Sequence, residues 1–316
     1  MAFSPQHLDR LRLRHLRLLV LVDEHRSLRA VGGVLKLTQP AVSQMVKDLE
    51  FALGVRLFER SARGVALTPA GELALQRARS GLAAFDHLAE ELHADLPPVV
   101  RVGTNPAVMF QLLPSAIARL EAANARLRFS LRAGMVNAML DGLWAGDLDC
   151  YVGRVDWDRL PPSKIDGLRH EPLTVTDLVV ACAAGHPLAE RRDLAARDLL
   201  DWSWALPSAG SNNRVVFETA FRNLGLAGPA PMVEIESDPN ALVLLALRAG
   251  LLVCIPRLAL ESEIAGEALR VLDLPDLHLP PIQIGFVTSA HNEAMLPLRA
   301  FRQALVEAAG ERPRAS

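Results

Sequence analysis

The sequence predicts a molecule of three parts: a small α+β winged helix-turn-helix module, a joining helix, and a two-lobed α/β body. Three observations predict it. A helix with an apolar stripe and a polar face starts near Thr38. Charge is divided unequally, because residues 1–65 hold eleven Lys/Arg against six Asp/Glu while the remaining 251 residues carry a net −7. From residue 99 onward, short apolar runs alternate with helical patterns, the rhythm of an α/β sheet.

Composition narrows the class further. Half of the 316 residues are apolar, enough for a sizeable core, and the 22% charged fraction excludes wholesale disorder. No apolar run reaches the ~18 residues of a spanning helix, and the longest, 241–256, is cut by Arg248. The opening MAFSPQHLDRLRLRHL lacks the apolar core of a secretory signal. The expectation is a cytoplasmic protein with no membrane partner. Cys150, Cys182 and Cys254 lie far apart, with no CxxC pair, so neither a disulfide framework nor a zinc site is expected.

The first element follows from Leu13, Leu16, Val20 and Leu21, whose spacing predicts a helix over residues 9–25. A second, short helix is expected over 28–35. Thr38 is then a good N-cap, and Pro40 in the first turn costs no helical hydrogen bond. Val42, Met45, Val46 and Leu49 form the core-facing stripe of the helix that follows. Its other face carries Gln39, Ser43, Gln44 and Lys47, donors and acceptors suited to base edges and phosphates. Beyond it, the Arg63-Gly64 pair between two β-prone runs reads as a hairpin wing with Arg63 at its tip, and an arginine there suits a minor groove. The surplus of positive charge on this module points to a polyanion as its partner.

The run from Leu13 to Gly71, above all TQPAVSQMVKDLE, LGVRLFER and RGVALTPAG, resembles the winged helix-turn-helix of LysR-type transcriptional regulators. The resemblance implies double-stranded promoter DNA as partner. Thr38, Gln39, Pro40, Ser43, Gln44 and Lys47 would meet the major groove, and Arg60 and Arg63 the minor groove or backbone. One stretch departs from the family pattern: Val31, Gly32 and Gly33 stand where a pair of alanines and a charged residue are usual. Each glycine inside a helix costs up to ~1 kcal/mol relative to alanine. Two consequences are open, a frayed second helix or closer packing under the recognition helix, and DNA affinity is the property at stake.

Thr68 and Pro69 open the joining helix as N-cap and first helical residue. Leu75, Ala78, Leu82, Phe85, Ala89 and Leu92 then recur at heptad spacing. The run is short for a self-sufficient coiled coil, but two-fold pairing lets two recognition helices read an inverted repeat. In the resembled family this helix pairs protomers, which implies a homodimer or homotetramer. The segment Asp95-Leu96-Pro97-Pro98 closes it. The expected domains are therefore 1–68 for DNA, 69–95 for the linker and 99–310 for the body, with lobe I about 99–160 and 267–310 and lobe II about 161–266.

In the body, strands are expected at 99–103, 127–132, 147–153, 178–183, 202–206, 232–235, 251–255, 270–274 and 282–288, and helices at 107–122, 135–145, 214–224, 239–249 and 296–307. The alternation predicts parallel sheets with helices on both faces, and two lobes joined by more than one crossing predict a hinged cleft. Ligands of such sheets sit beyond the carboxyl ends of strands, against helix starts. Three polar clusters occupy such positions: Thr104 and Asn105; Ser208, Ser211, Asn212 and Asn213; and Ser237 with Asp238, where a plain capping role is favoured. All seven non-Asp residues are effector-binding candidates, and Ser237 is the weakest. The body is similar to the family's effector domain, of periplasmic-binding-protein fold, which implies an unidentified small-molecule effector and no cofactor. ALRAGLLVCIPR, Ala246–Arg257, resembles a segment near the hinge, but lacks the commoner glycine-x-glycine form. It looks more like the branch sensing sugars, aromatic acids or sulfonates.

The alternatives are a solute-binding or enzymatic α/β protein with an incidental basic module. No GxSxG, HExxH, P-loop or GxGxxG supports catalysis. His170 and His186 read as surface residues, and Asp147 and Asp149, alternating on a strand end, as facing solvent or a turn. The three cysteines sit in apolar strands, where burial makes a thiol inert.

Overall fold

A computed structural model describes residues 5–61, 64–93, 96–105, 108–109, 112–154, 157, 160, 165, 167–236 and 238–310. Its contacts divide the chain into two units, Met1–Pro97 with Asp141–Leu148, and Pro98–Leu140 with Asp149–Ser316.

In the first unit a 3-10 turn precedes α1 (Leu13–His25), so the regular helix starts later than the apolar spacing suggests. The backbone N–H of Arg12 donates to Nδ1 of the buried His15 at 2.9 Å, which satisfies a donor at the helix start. Helices α2 (Leu28–Leu35) and α3 (Gln39–Leu53) follow. Ser27 and Thr38 accept N–H bonds as their N-caps. Val42, Met45, Val46 and Leu49 are buried against Leu18, Leu19, Val22 and Val31. Burial of each such side chain contributes about 1.5–3 kcal/mol.

The turn between α2 and α3 decides the glycine question. A Cβ on Gly32 would lie 2.8 Å from the carbonyl oxygen of Leu37, and the Leu37 N–H bonds to the Gly32 carbonyl at 2.8 Å. Gly32 therefore lets the turn close against α2. A Cβ on Gly33 would meet nothing within 4 Å. Strands β1 (Phe58–Ser61) and β2 (Gly64–Leu67) form the antiparallel wing, with Ser61 paired to Gly64. Arg63, at the tip, lies outside the described residues, as do Ala62 and the side chain of Arg60.

Helix α4 runs from Pro69 to His93. Thr68 Oγ1 accepts the Gly71 N–H at 3.0 Å and donates to the Arg56 carbonyl, so it caps as expected. Of the heptad residues, Leu75 and Ala78 are buried in this unit's own core. Further along, Phe85, Leu88 and Leu92 are 52%, 48% and 74% exposed.

The second unit holds two five-stranded sheets. Lobe I is built from β3 (Val99–Thr104), α5 (Leu112–Ala122), β4 (Arg128–Ala133), α6 (Val136–Ala145, counted with the first unit from Asp141 onward), β5 (Cys150–Arg154) and β6 (Leu168–Thr176). Lobe II adds β7 (Leu178–Ala183), β8 (Trp204–Pro207), α7 (Asn212–Asn223), β9 (Pro231–Ile235), α8 (Pro239–Ala249), β10 (Leu252–Pro256), α9 (Glu261–Ala265) and β11 (Leu269–Val271). The chain then returns to lobe I through β12 (Ile282–Ser289) and α10 (Leu296–Gly310). Strand orders are β4-β3-β5-β12-β6 and β11-β7-β10-β8-β9.

Three expectations need correction. Both sheets are mixed, not parallel: β12 runs antiparallel to β5 and β6, and β7 antiparallel to β10 and β11. The reason is that these strands enter their sheets from the lobe crossings, at Asp177 and between β11 and β12, without a helical return. The lobe limits move as well. Strand β6 belongs to lobe I and β11 to lobe II, so the crossings fall near 177 and 272–281 instead of 161 and 267. Strand β6 escaped the hydrophobic pattern because it is an edge strand rich in exposed polar residues, with Pro172 at a register shift. Finally, Asp149 is buried and accepts the Arg101 N–H at 2.7 Å, and His186 is buried against Trp202 with Nδ1 accepting the Leu188 N–H. Neither faces solvent.

Aromatic rings fill both lobes. Phe129 meets Phe301 in lobe I, and Trp204, Phe217 and Phe221 pack in series in lobe II, tilted and edge-on with ring centres 5.0 Å apart. The three thiols are buried. Burial pushes Cys182 up to about 11, and raises Cys150 and Cys254 as well, which keeps all three protonated and unreactive.

Candidate functional site

In the first unit, α3 presents the polar face that its sequence implies. Thr38, Gln39, Pro40, Gln44 and Lys47 are exposed and Ser43 half-buried, all on the side away from the apolar stripe. Gln44 Nε2 donates to Asp48 Oδ1 at 2.8 Å, which orients the amide along the helix. The N-terminal half of a helix held in this way, with short polar side chains and one lysine, suits a major groove.

In the second unit, a pocket of about 200 Å³ opens between the lobes. Lobe I contributes Asn105, residues 134–137 at the start of α6, and Arg154 at the end of β5. Lobe II contributes Ser211, Asn212 and Asn213 at the start of α7, together with Glu236, Asp238 and the apolar Leu242 and Ile255. Asn105 follows β3, residues 134–137 lead from β4 into α6, and Ser211–Asn213 open α7, the positions at which α/β sheets bind ligands.

Two features point into this pocket. Ser211 is the N-cap of α7, yet its side chain makes no capping bond. The Ser211 hydroxyl is thus not spent on the helix it opens. Asn105 Oδ1 is buried and has no hydrogen-bond partner among the described residues. A Cβ on Gly153 would lie 2.4 Å from Tyr151 Oη and 2.9 Å from Asn105 Oδ1, so glycine makes the room both groups occupy. Arg154 is anchored twice: its Nη1 donates to Asn213 Oδ1 at 3.1 Å, and Tyr151 Oη donates to its carbonyl. That bond ties a lobe I cation to a lobe II amide across the pocket.

Of the sequence-derived effector candidates, Asn105, Ser211, Asn212 and Asn213 line the pocket. Thr104 does not. It is fully buried, and its hydroxyl donates to the Val152 and Asn105 carbonyls, which makes it a brace behind the wall. Ser208 is also off the wall, its N–H holding the turn to Ile235. Ser237 lies outside the described residues. Asp238 caps α8 by accepting the Asn240 and Ala241 N–H groups, as expected. Sequence reasoning missed Arg154 and the 134–137 turn, although both stand at strand ends where the same rule applies. At the end of the Ala246–Arg257 segment, the Arg257 N–H bonds to the carbonyl of Asp177 in the crossing at 2.8 Å.

A helix-turn-helix module with a wing, together with a two-lobed α/β body around a pocket, defines a DNA-binding regulator with a sensor domain. Comparison with known proteins bears this out. Residues 13–72 match the bacterial regulatory helix-turn-helix model of the lysR family, and residues 93–310 match the LysR substrate binding domain. The chain is 34% identical over 241 residues to the HTH-type transcriptional regulator GbpR of Azospirillum brasilense, covering 75% of this chain and 69% of that one. It is 29% identical over 310 residues to the regulator PcaQ of Agrobacterium fabrum, covering 96% of each. Among solved structures, a Corynebacterium glutamicum OxyR C206 mutant superposes with a TM-score of 0.53 at 25% identity, over 96% of this chain and 93% of that one.

The chain belongs to the LysR family of transcriptional regulators. Members of this family are regulators, not enzymes; they bind promoter DNA and small-molecule effectors and form oligomers. No helix among the described residues is long and apolar enough to cross a membrane.

Proposed function

We propose that this regulator works in the cytoplasm as a homodimer or homotetramer, with residues 1–68 on DNA, 69–95 as the pairing helix and 99–310 as the sensor. Gln39, Pro40, Ser43, Gln44 and Lys47 read the major groove, with Thr38 at its edge, and Arg60 and Arg63 hold the minor groove or backbone. Asn105, Ser211, Asn212, Asn213 and Arg154 bind an effector that carries an acceptor or anionic group, in the range of sugars, aromatic carboxylates and sulfonates. Effector binding selects one placement of the lobes, and that choice propagates to the DNA-binding pairs. The observation that carries the sensor reading is the pairing of an uncapped Ser211 with the buried, unpartnered Asn105 oxygen on opposite sides of one pocket. The exposed apolar run Phe85, Leu88 and Leu92 supports the pairing role of α4.

A thermal-shift screen of sugars, aromatic carboxylates and sulfonates tests the sensor. A true effector stabilises the wild type in proportion to the logarithm of its concentration. Ser211→Ala and Asn105→Ala weaken that shift, while a shift intact in both variants refutes the assignment. For the DNA face, binding to an inverted-repeat promoter fragment weakens steeply with salt, and Gln44→Ala relaxes sequence preference. A flat salt response, or unchanged preference, removes α3 from readout.

A further inference from the structure

The wing is a two-stranded ribbon, and a ribbon of that size does not hold its own direction in water. Its direction is set by what anchors it. At the base, Glu50 Oε1 on α3 accepts the N–H groups of Leu57 and Phe58 at 2.8 and 3.2 Å. Toward the tip, the Val65 N–H donates to the carbonyl of Arg26 at 2.9 Å, and Val65 is the cross-strand partner of Arg60. The approach is close. A Cβ on Gly64, whose φ is +118°, would lie 2.4 Å from that same carbonyl oxygen. Whatever holds Arg26 therefore aims the outer half of the wing.

Arg26 is the C-cap of α1 and sits in the left-handed region, at φ 52°, which a residue with a Cβ adopts only at a cost. Two bonds hold it there. Its N–H donates to the Val22 carbonyl at 2.9 Å, and its Nη2 donates to Asp23 Oδ1 at 2.9 Å. The other carboxylate oxygen, Asp23 Oδ2, accepts from Arg79 Nη2 of α4 at 3.0 Å. One carboxylate, 21% exposed, thus ties the cap beneath the wing to the joining helix. The pair Arg17 and Asp86 makes no comparable tie between α1 and α4, because it approaches only to 4.0 Å and both side chains are largely exposed.

We propose that Asp23 is a positioning residue for DNA binding, which holds the wing in a direction referred to α4. It acts through its two arginines: Arg26 carries the carbonyl that aims the ribbon, and Arg79 fixes that cap to the joining helix. Both guanidiniums are about half exposed, and ion pairs of that kind add little to stability, so their loss leaves the unit folded. What is lost is the direction of a short ribbon. Asp23 has this role only if Arg60 and Arg63 meet the minor groove or backbone, as proposed above.

Footprinting of the full-length protein on the inverted-repeat promoter fragment tests it, with hydroxyl radical reading the backbone, dimethyl sulfate reading guanine N7 in the major groove, and a titration giving affinity. Asp23→Asn removes a negative charge, so electrostatics alone would tighten binding; the expected result is the opposite, binding weaker by about threefold or more. Backbone protection by the wing should disappear while major-groove protection by α3 remains. Arg79→Gln, a change on a half-exposed side chain, should lose the same protection, and Arg79→Lys should restore it, with thermal unfolding unchanged in all three variants. Affinity in Asp23→Asn equal to or above wild type overturns the proposal. So does joint loss of wing and major-groove protection, or wing protection intact in Arg79→Gln. A wild type that shows no protection beyond the α3 contacts refutes the wing reading itself, whereas wing protection present in the wild type and kept in Asp23→Asn refutes only the role of Asp23.

Discussion

Adjacent glycines in α2 should respond to alanine with opposite signs. At Gly33 a methyl group enters open space, so only the backbone term acts, and alanine restores about 1 kcal/mol of helix propensity. At Gly32 the same gain is offered, but the methyl arrives 2.8 Å from the Leu37 carbonyl oxygen, and backbone has to move. Overpacking of this kind costs about 1–3 kcal/mol, which turns the net effect to a loss of about 1 kcal/mol. The first unit has no tryptophan before Pro97, so hydrogen exchange of the full-length protein is the assay of choice. In Gly33→Ala, amides of α2 and α3 should exchange roughly fivefold more slowly, and in Gly32→Ala several-fold faster. DNA affinity should fall in the Gly32 variant, because the displaced turn carries the N-terminus of α3. Equal protection in the two variants would refute the close approach as the reason for glycine.

Two further outcomes are expected. Burial holds the His15 imidazole below its ordinary value near 6.5, with the Arg14 charge acting in the same direction. The unfolded chain takes up this proton first, so stability is full above about pH 6.5 and declines as pH falls through the folded-state value. Exchange in α1, corrected for intrinsic rates, should therefore accelerate on acidification, and His15→Asn, which keeps an acceptor for the Arg12 N–H, should flatten that response; an unchanged slope removes His15 as its source. Separately, Phe85→Glu with Leu92→Glu leaves the fold intact because both side chains are exposed, but weakens self-association at least tenfold by sedimentation, and undiminished association would show that α4 is not the pairing surface.

How much was legible depended on how local the signal was. The recognition helix was readable because its cap, its apolar stripe and its polar face all lie within fourteen residues, Thr38 to Phe51. Strand β6 was not, because an edge strand takes its register from a neighbour more than a hundred residues away, here β12. The cleft was half readable. Asn105 and Ser211–Asn213 follow from the rule that ligands sit at strand ends and helix starts, but that rule cannot say which hydroxyl is already spent, and Thr104 donates its own to Val152. Burial misled the reading at Asp149 and His186 for the same reason: a polar residue is taken as exposed until a distant partner such as the Arg101 N–H is in view.

Sequence by itself determined the order of parts, the capped polar-faced helix, the alternation of the body, and the split of charge between a basic head and an acidic remainder. Those properties are written in contiguous residues, in the 3.6 and 2.0 periods of helix and strand, and need no knowledge of what lies across the fold. Only the tertiary structure decided which strands pair and in which direction, why Gly32 admits no side chain, and which polar groups remain unspent in the cleft. Each of those depends on atoms brought together from far along the chain, and steric room and hydrogen-bond satisfaction exist only once both partners are in place.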